Sequence, residues 1–180
     1  MRALIVAALV VVSGSFAAAQ GKTSPGAGPA IVVVETEKGT FEFETYPNEA
    51  PKTVGHILGL IEKRFYNGQR VHRVVPGFVM QFGDQQTRDM TKEKIWGRIE
   101  GPAVGVAEFS KLRTHVRGAV ALAHNGDASK ADTQMYVTLA DTPRLNMKYV
   151  VFGKVISGMD VVDQLKYADR IVRVTVREGK

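Results

Sequence analysis

The residues best placed to do chemistry lie between Val71 and Asp84, in the run Val-His-Arg-Val-Val-Pro-Gly-Phe-Val-Met-Gln-Phe-Gly-Asp. Two apolar strand-like stretches flank a Pro-Gly break. Period-two alternation puts Val71, Arg73 and Val75 on one face and His72 and Val74 on the other. After Pro76-Gly77 the phase resets, so Val79 and Gln81 share a face. A guanidinium in an apolar strand must be paired or offered to a ligand, because burying a bare charge is costly. Gln81 and Asp84 are its candidate partners on the adjoining run. The plainer reading of Arg73 is an edge-strand arginine with its stem on the sheet and its head in water.

Composition removes several other chemistries. The chain has no cysteine, which excludes disulfides, thiolate catalysis and cysteine metal sites. His56, His72, His115 and His124 form no HExxH or close pair, so no metal site is expected. A hydrolase built on Asp84 with His72 or His124 would need a nucleophilic serine or threonine, and no motif supplies one. The formal charge of +6 is scattered without basic runs or interleaved aromatics. That pattern is a solvated surface, and no nucleic-acid partner is expected.

The elements that must position this run read as follows. Residues 1–19 have the form of a cleaved signal peptide, with Arg2, the apolar run Leu4–Val12 and Ala17-Ala18-Ala19 before Gln20. The apolar stretch is too short to span a bilayer, so the mature chain is expected to be exported and free of the membrane. Residues 20–30 read as a flexible tether and 31–180 as one domain. Ile31–Thr36 and Thr40–Thr45 form a hairpin with Phe41 and Phe43 on one face. Asn48 caps a helix with Pro51 in its first turn, burying a stripe of Val54, Ile57, Leu58, Ile61 and Phe65 and leaving His56 on the surface. Strands follow over Arg117–Ala123, Thr133–Leu139, Lys148–Val155 and Ile171–Val176, with a short helix over Asp160–Tyr167. Trp96, in the uninformative stretch 85–117, is assigned to packing a barrel end.

The run from His72 to Asp84 closely resembles the signature of the cyclophilins, the cyclosporin-type peptidyl-prolyl cis-trans isomerases. The similarity extends through Arg117–Ala123, Thr133–Tyr136 and Leu145–Gly153, covering roughly residues 31–176. It implies a mainly β fold, a closed eight-stranded antiparallel β-barrel capped by two α-helices, with the site on the outer face. It further implies that Arg73 is catalytic with Gln81, and that Phe78, Val79, Tyr136 and Leu145 form the proline pocket. Gln134 would contact the substrate backbone, Ala123 and His124 would line the groove, and Tyr149 would close the pocket.

The implied reaction is rotation about X-Pro bonds in folding clients, assisting exported proteins, with no cofactor. Rotation meets a barrier of ~18–20 kcal/mol because resonance holds the amide planar. An arginine donating to the prolyl nitrogen as it pyramidalises, with an apolar grip on the ring, favours the transition state selectively. The chain departs from the common pattern at Tyr136, where the family has phenylalanine, and at Phe82, where it has glycine. Arg144 replaces the tryptophan that packs on cyclosporin, so weak cyclosporin binding is expected. A monomer is expected, in the periplasm, with secretion the second location. Two competing readings remain: a proline-binding module without turnover, and a basic exported protein that binds anionic surfaces or nucleic acid, which only the net charge supports.

Overall fold

The computed structural model describes residues 28–98 and 101–178, so the signal-peptide reading falls outside the described residues. Eight strands form one antiparallel sheet. They are β1 (Ala30–Thr36), β2 (Gly39–Thr45), β3 (Arg73–Val75), β4 (Val79–Phe82), β5 (Ala119–Leu122), β6 (Met135–Thr138), β7 (Val151–Ser157) and β8 (Ile171–Glu178). Their order across the sheet is β3-β4-β6-β5-β7-β2-β1-β8. The sheet curls until its edges approach. The contact between them is made by the residues leading into β3 and β8: Arg70 and Arg170 form a bridge, and Val71 N–H donates to Asp169 O at 2.9 Å. The expected barrel is therefore present, with its seam joined at one end.

Alternation decides which side chains fill the barrel. Val32 and Val34 of β1, Phe41 and Phe43 of β2, and Met80 and Phe82 of β4 all point inward. Phe43 meets Phe152 edge-on, with ring centroids 6.1 Å apart. Phe82, where the family has glycine, lies in this core against Tyr66, ring centroids 6.0 Å apart. It therefore leaves the outer face open.

Two helices cover the barrel, α1 (Pro51–Glu62) and α2 (Met159–Gln164). Helix α1 buries Val54, Ile57, Leu60 and Ile61, and it stops before Phe65, which packs on the core from the following turn. Its cap corrects the sequence reading. The N-cap residue is Ala50 and makes no side-chain bond. Glu108, far along the chain, accepts Lys52 N–H at 3.1 Å and Thr53 N–H at 2.8 Å. A carboxylate at the positive end of the helix satisfies donors that otherwise lack partners. His56 is half-buried, not a surface residue, and its Nε2 meets Asp132 O at 3.0 Å. Helix α2 is shorter than expected, ending before Leu165, whose side chain still turns inward.

Strand β3 also differs from the simple alternation. Val71 is fully buried while Arg73 and Val75 are exposed, because regular pairing begins only at Arg73 and the chain before it belongs to the seam. Replacing Glu108 by alanine is expected to lower stability by about 0.5–2 kcal/mol. Urea unfolding at neutral pH checks this, with a larger loss than for the same change at Asn48.

Candidate functional site

The register of four strands builds the site. Cα partners run Arg73↔Gln81 across β3 and β4, Gln81↔Tyr136 across β4 and β6, and Tyr136↔Ala121 across β6 and β5. Directly paired residues share a sheet face, so all four stand in one transverse row. Val79, two residues from Gln81, shares that outer face. Val79, Ala121 and Tyr136, with Phe78, Leu145 and Tyr149 from the flanking turns, belong to an apolar cluster separate from the barrel core, and Arg73 and Gln81 stand beside it.

An open cavity of about 440 Å³ lies over the row. Its apolar end is walled by Phe78, Val79, Tyr136 and Leu145, with Ala123, His124 and Tyr149 beside it. All the site residues expected from the sequence are thus brought together at one cavity. The Arg73 guanidinium donates to Gln81 Oε1 at 3.4 Å and lies 5.7 Å from the Phe78 ring centroid. Gln81 Nε2 donates to Gln134 Oε1 at 3.0 Å. Arg73 sits on the edge strand β3, is exposed, and lines the cavity.

Asp84 is not the partner of Arg73. Its carboxylate accepts Gln86 N–H at 2.8 Å and Gly97 N–H at 2.7 Å, which ties down the loop beyond β4. Gln134 Nε2 also reaches Gly97 O at 3.4 Å, so this loop forms the second wall of the cavity. Trp96 lies in that wall, packed on Tyr167 at 5.6 Å with its Nε1–H donated to Asp89 O at 3.3 Å. Its position lining the cavity corrects the barrel-end assignment. Gly83 permits the close approach: a Cβ there would lie 2.4 Å from Thr133 O and 2.7 Å from Gln134 Cα.

His115 is a buried neighbour of the cavity wall that the sequence does not mark. Its ring is buried behind Tyr136, with Nε2 2.9 Å from the Tyr136 hydroxyl and Nδ1 3.0 Å from Asn146 Oδ1. The same Asn146 oxygen accepts the His115 backbone N–H at 2.9 Å. An oxygen facing that N–H is an acceptor, so Nδ1 carries the ring proton and Nε2 accepts from Tyr136. Burial lowers the His115 pKa from its ordinary 6.5, partly offset by the bond to Asn146, and this favours the neutral ring. Burial likewise raises Tyr136 well above its usual range and keeps its hydroxyl protonated. The hydroxyl that distinguishes this pocket wall from phenylalanine is therefore satisfied. His115 sits in an irregular stretch, where no periodicity or motif marks it. His124 stacks on Tyr149 with centroids 4.3 Å apart and holds Lys148 O through Nε2–H at 2.8 Å.

An apolar pocket of this size beside an exposed arginine and two amides can hold a small apolar ring and hydrogen-bond an adjoining peptide backbone. Comparison with known proteins gives the family. The family model "Cyclophilin type peptidyl-prolyl cis-trans isomerase/CLD" matches residues 31–178. A probable peptidyl-prolyl cis-trans isomerase of Brucella abortus is 35% identical over 187 residues, covering 95% of this chain and 94% of that protein. Peptidyl-prolyl cis-trans isomerase-like 3 of Homo sapiens is 35% identical over 136 residues, covering 75% of this chain and 81% of the relative. A Cryptosporidium parvum cyclophilin crystal structure superposes with a TM-score of 0.70 at 24% identity, covering 85% of this chain and all of that one. A cyclophilin from Hirschia baltica gives 0.67 at 20% identity, covering 81% of this chain and 73% of that one. The chain belongs to the cyclophilin-type peptidyl-prolyl cis-trans isomerase family.

Two predictions follow from the buried histidines. Tyr136→Phe strands the buried His115 Nε2 without its donor and is expected to cost about 1–3 kcal/mol in urea unfolding. Burial also lowers the pKa of His56 and His72. The unfolded chain therefore binds more protons than the folded one below the ordinary value of 6.5. Stability is expected to be complete above pH 6.5 and to fall as the pH drops from there through the lowered folded values. Urea midpoints measured across that window check the sign, and His115→Leu should flatten the slope.

Proposed function

We propose that this protein accelerates cis-trans exchange of X-Pro bonds at the outer cavity, with Arg73 as the catalytic group. The observation that carries the reading is the row of Arg73, Gln81 and Tyr136, held in register beside the apolar wall of Phe78, Val79 and Leu145. In this reading Phe78, Val79, Tyr136 and Leu145 grip the proline ring, while Gln81 and Gln134 hold the substrate backbone. Ala123, His124 and Tyr149 border the groove through which the chain passes. Arg73, oriented by Gln81, donates to the prolyl nitrogen as the amide loses planarity, which weakens the C–N double bond where charge develops. No proton transfer or covalent intermediate is required. A Cryptosporidium parvum cyclophilin has been crystallised in the presence of the dipeptide Ala-Pro, which supports a proline-containing ligand for this cavity.

The clients in this proposal are exported polypeptides whose folding waits on slow proline isomerisation, which takes roughly tens to hundreds of seconds uncatalysed. The leader-like residues 1–19 support export, with the periplasm as the working compartment and the mature protein acting as a monomer. Weak cyclosporin binding belongs to the same reading: the Arg144 guanidinium lies 4.5 Å from the Phe78 ring centroid, where the family carries a drug-packing tryptophan.

Exchange NMR on an Ala-Pro-Phe peptide tests the activity without a coupled protease. The protein is expected to accelerate exchange, and Arg73→Ala to reduce kcat/KM by about 10²-fold or more. Peptide binding without acceleration in either protein would replace the enzyme reading with a proline-binding module.

A further inference from the structure

The cavity is lined by more than a proline pocket. Among the described residues, the ion pairs lie away from it: Arg113 with Glu49, Arg117 with Asp163, Arg173 with Glu35, Arg177 with Glu42 and Lys92 with Asp89. The rim is charged differently. Arg73, Arg98 and Lys130 line the cavity, Arg144 lies on Phe78, and Lys148 borders the adjoining groove. All five are exposed, and among the described residues none forms an ion pair with a carboxylate.

Two carboxylates face these cations, and both are engaged. Asp132 is buried and accepts the backbone N–H groups of Gly101, Thr133 and Gln134. Asp127 accepts Ser129 N–H at 2.9 Å and Ser129 Oγ–H at 2.7 Å, with the Lys130 charge nearby. A cleft lined by one sign of charge focuses its field and concentrates ligands of the opposite sign. Tyr136 marks the proline end. Gln134, two positions earlier, contacts Gly97, and Arg98 follows. A strand rises about 3.3 Å per residue, so an extended ligand reaches the cationic end one or two residues from its proline.

We propose that this cavity selects proline segments carrying an acidic side chain one or two residues from the proline, through Arg98 and Lys130 with the other rim cations. The inference rests on the isomerase reading, and it goes beyond it by naming the class of client. Each exposed pairing is worth about a two- to fivefold gain in kcat/KM, the yield of solvent-accessible ion pairs.

Exchange NMR on alanine-proline peptides tests it, with Glu, Gln or Lys placed in turn at each of the two positions on either side of the proline. At one position or more, the Glu peptide is expected to exceed the Lys peptide by about four- to twentyfold at low salt, with Gln between them. The ratio should approach one at an ionic strength of about 1 M, where screening acts within roughly 3 Å. A protein carrying both Arg98→Glu and Lys130→Glu should lose or invert the order, with a thermal melt showing that it is folded. Should that variant unfold, the wild-type salt series decides alone. Turnover of Glu and Lys peptides within twofold at all four positions, or a preference unmoved by salt, overturns the proposal. No turnover of the all-alanine parent overturns the isomerase reading itself.

Discussion

Everything at the site depends on antiparallel register. Arg73, Gln81, Tyr136 and Ala121 belong to four strands and meet only because each is the direct partner of the next. A slip of one residue in any of these pairs would turn a site residue into the barrel and bring a core residue out. The inner face prevents that slip. Met80, Phe82, Val120, Leu122, Met135 and Val137 are almost completely buried, and moving any one of these strands would expose its set to water. The core thus fixes the site without touching it.

The loop from Asp84 to Val116 is held by a different kind of force. Its described residues form short turns closed by backbone carbonyls and no strand, and carboxylates pin them to the rest of the fold. Asp84 fastens Gly97, and Asp132 fastens Gly101, while Glu108 closes the open end of α1. A carboxylate that accepts backbone N–H groups makes charge-assisted bonds stronger than neutral ones. Asp84 and Asp132 thus pin the segment at two points, and Glu108 ties it to α1. The result is a second wall that carries Trp96 and Arg98 over the outer face of the sheet.

The departures from the family pattern become physically simple in the fold. Phe82 is a core residue packed on Tyr66, so it fills the barrel interior and leaves the cavity free. Tyr136 gains a hydroxyl in a buried place, and His115 with Asn146 absorbs it through two well-formed hydrogen bonds. Arg144 keeps contact with Phe78 by laying a cation on the aromatic face, which preserves a wall there while adding charge to the rim.

Much of the fold was legible in the amino-acid sequence, because local pattern fixes local structure. Alternating β-rich runs marked the hairpin and the later strands. A 3.6-residue stripe marked α1. The arginine between apolar residues, with Gln81 on the same phase as Val79, marked the face that carries the cavity, and the family signature pointed to the residues that line it. What could not be read was whatever depended on residues distant in sequence. Asn48 looked like the cap of α1, yet Glu108 fills that role from across the fold. Asp84 looked like a partner for Arg73, yet it faces the loop. His115 carried no signal, since only the closed sheet brings its Nε2 to Tyr136. Periodicity records which way a side chain points. Whom it meets is decided when the sheet curls, because hydrogen-bond partners and unpaired charges are properties of the assembled surface.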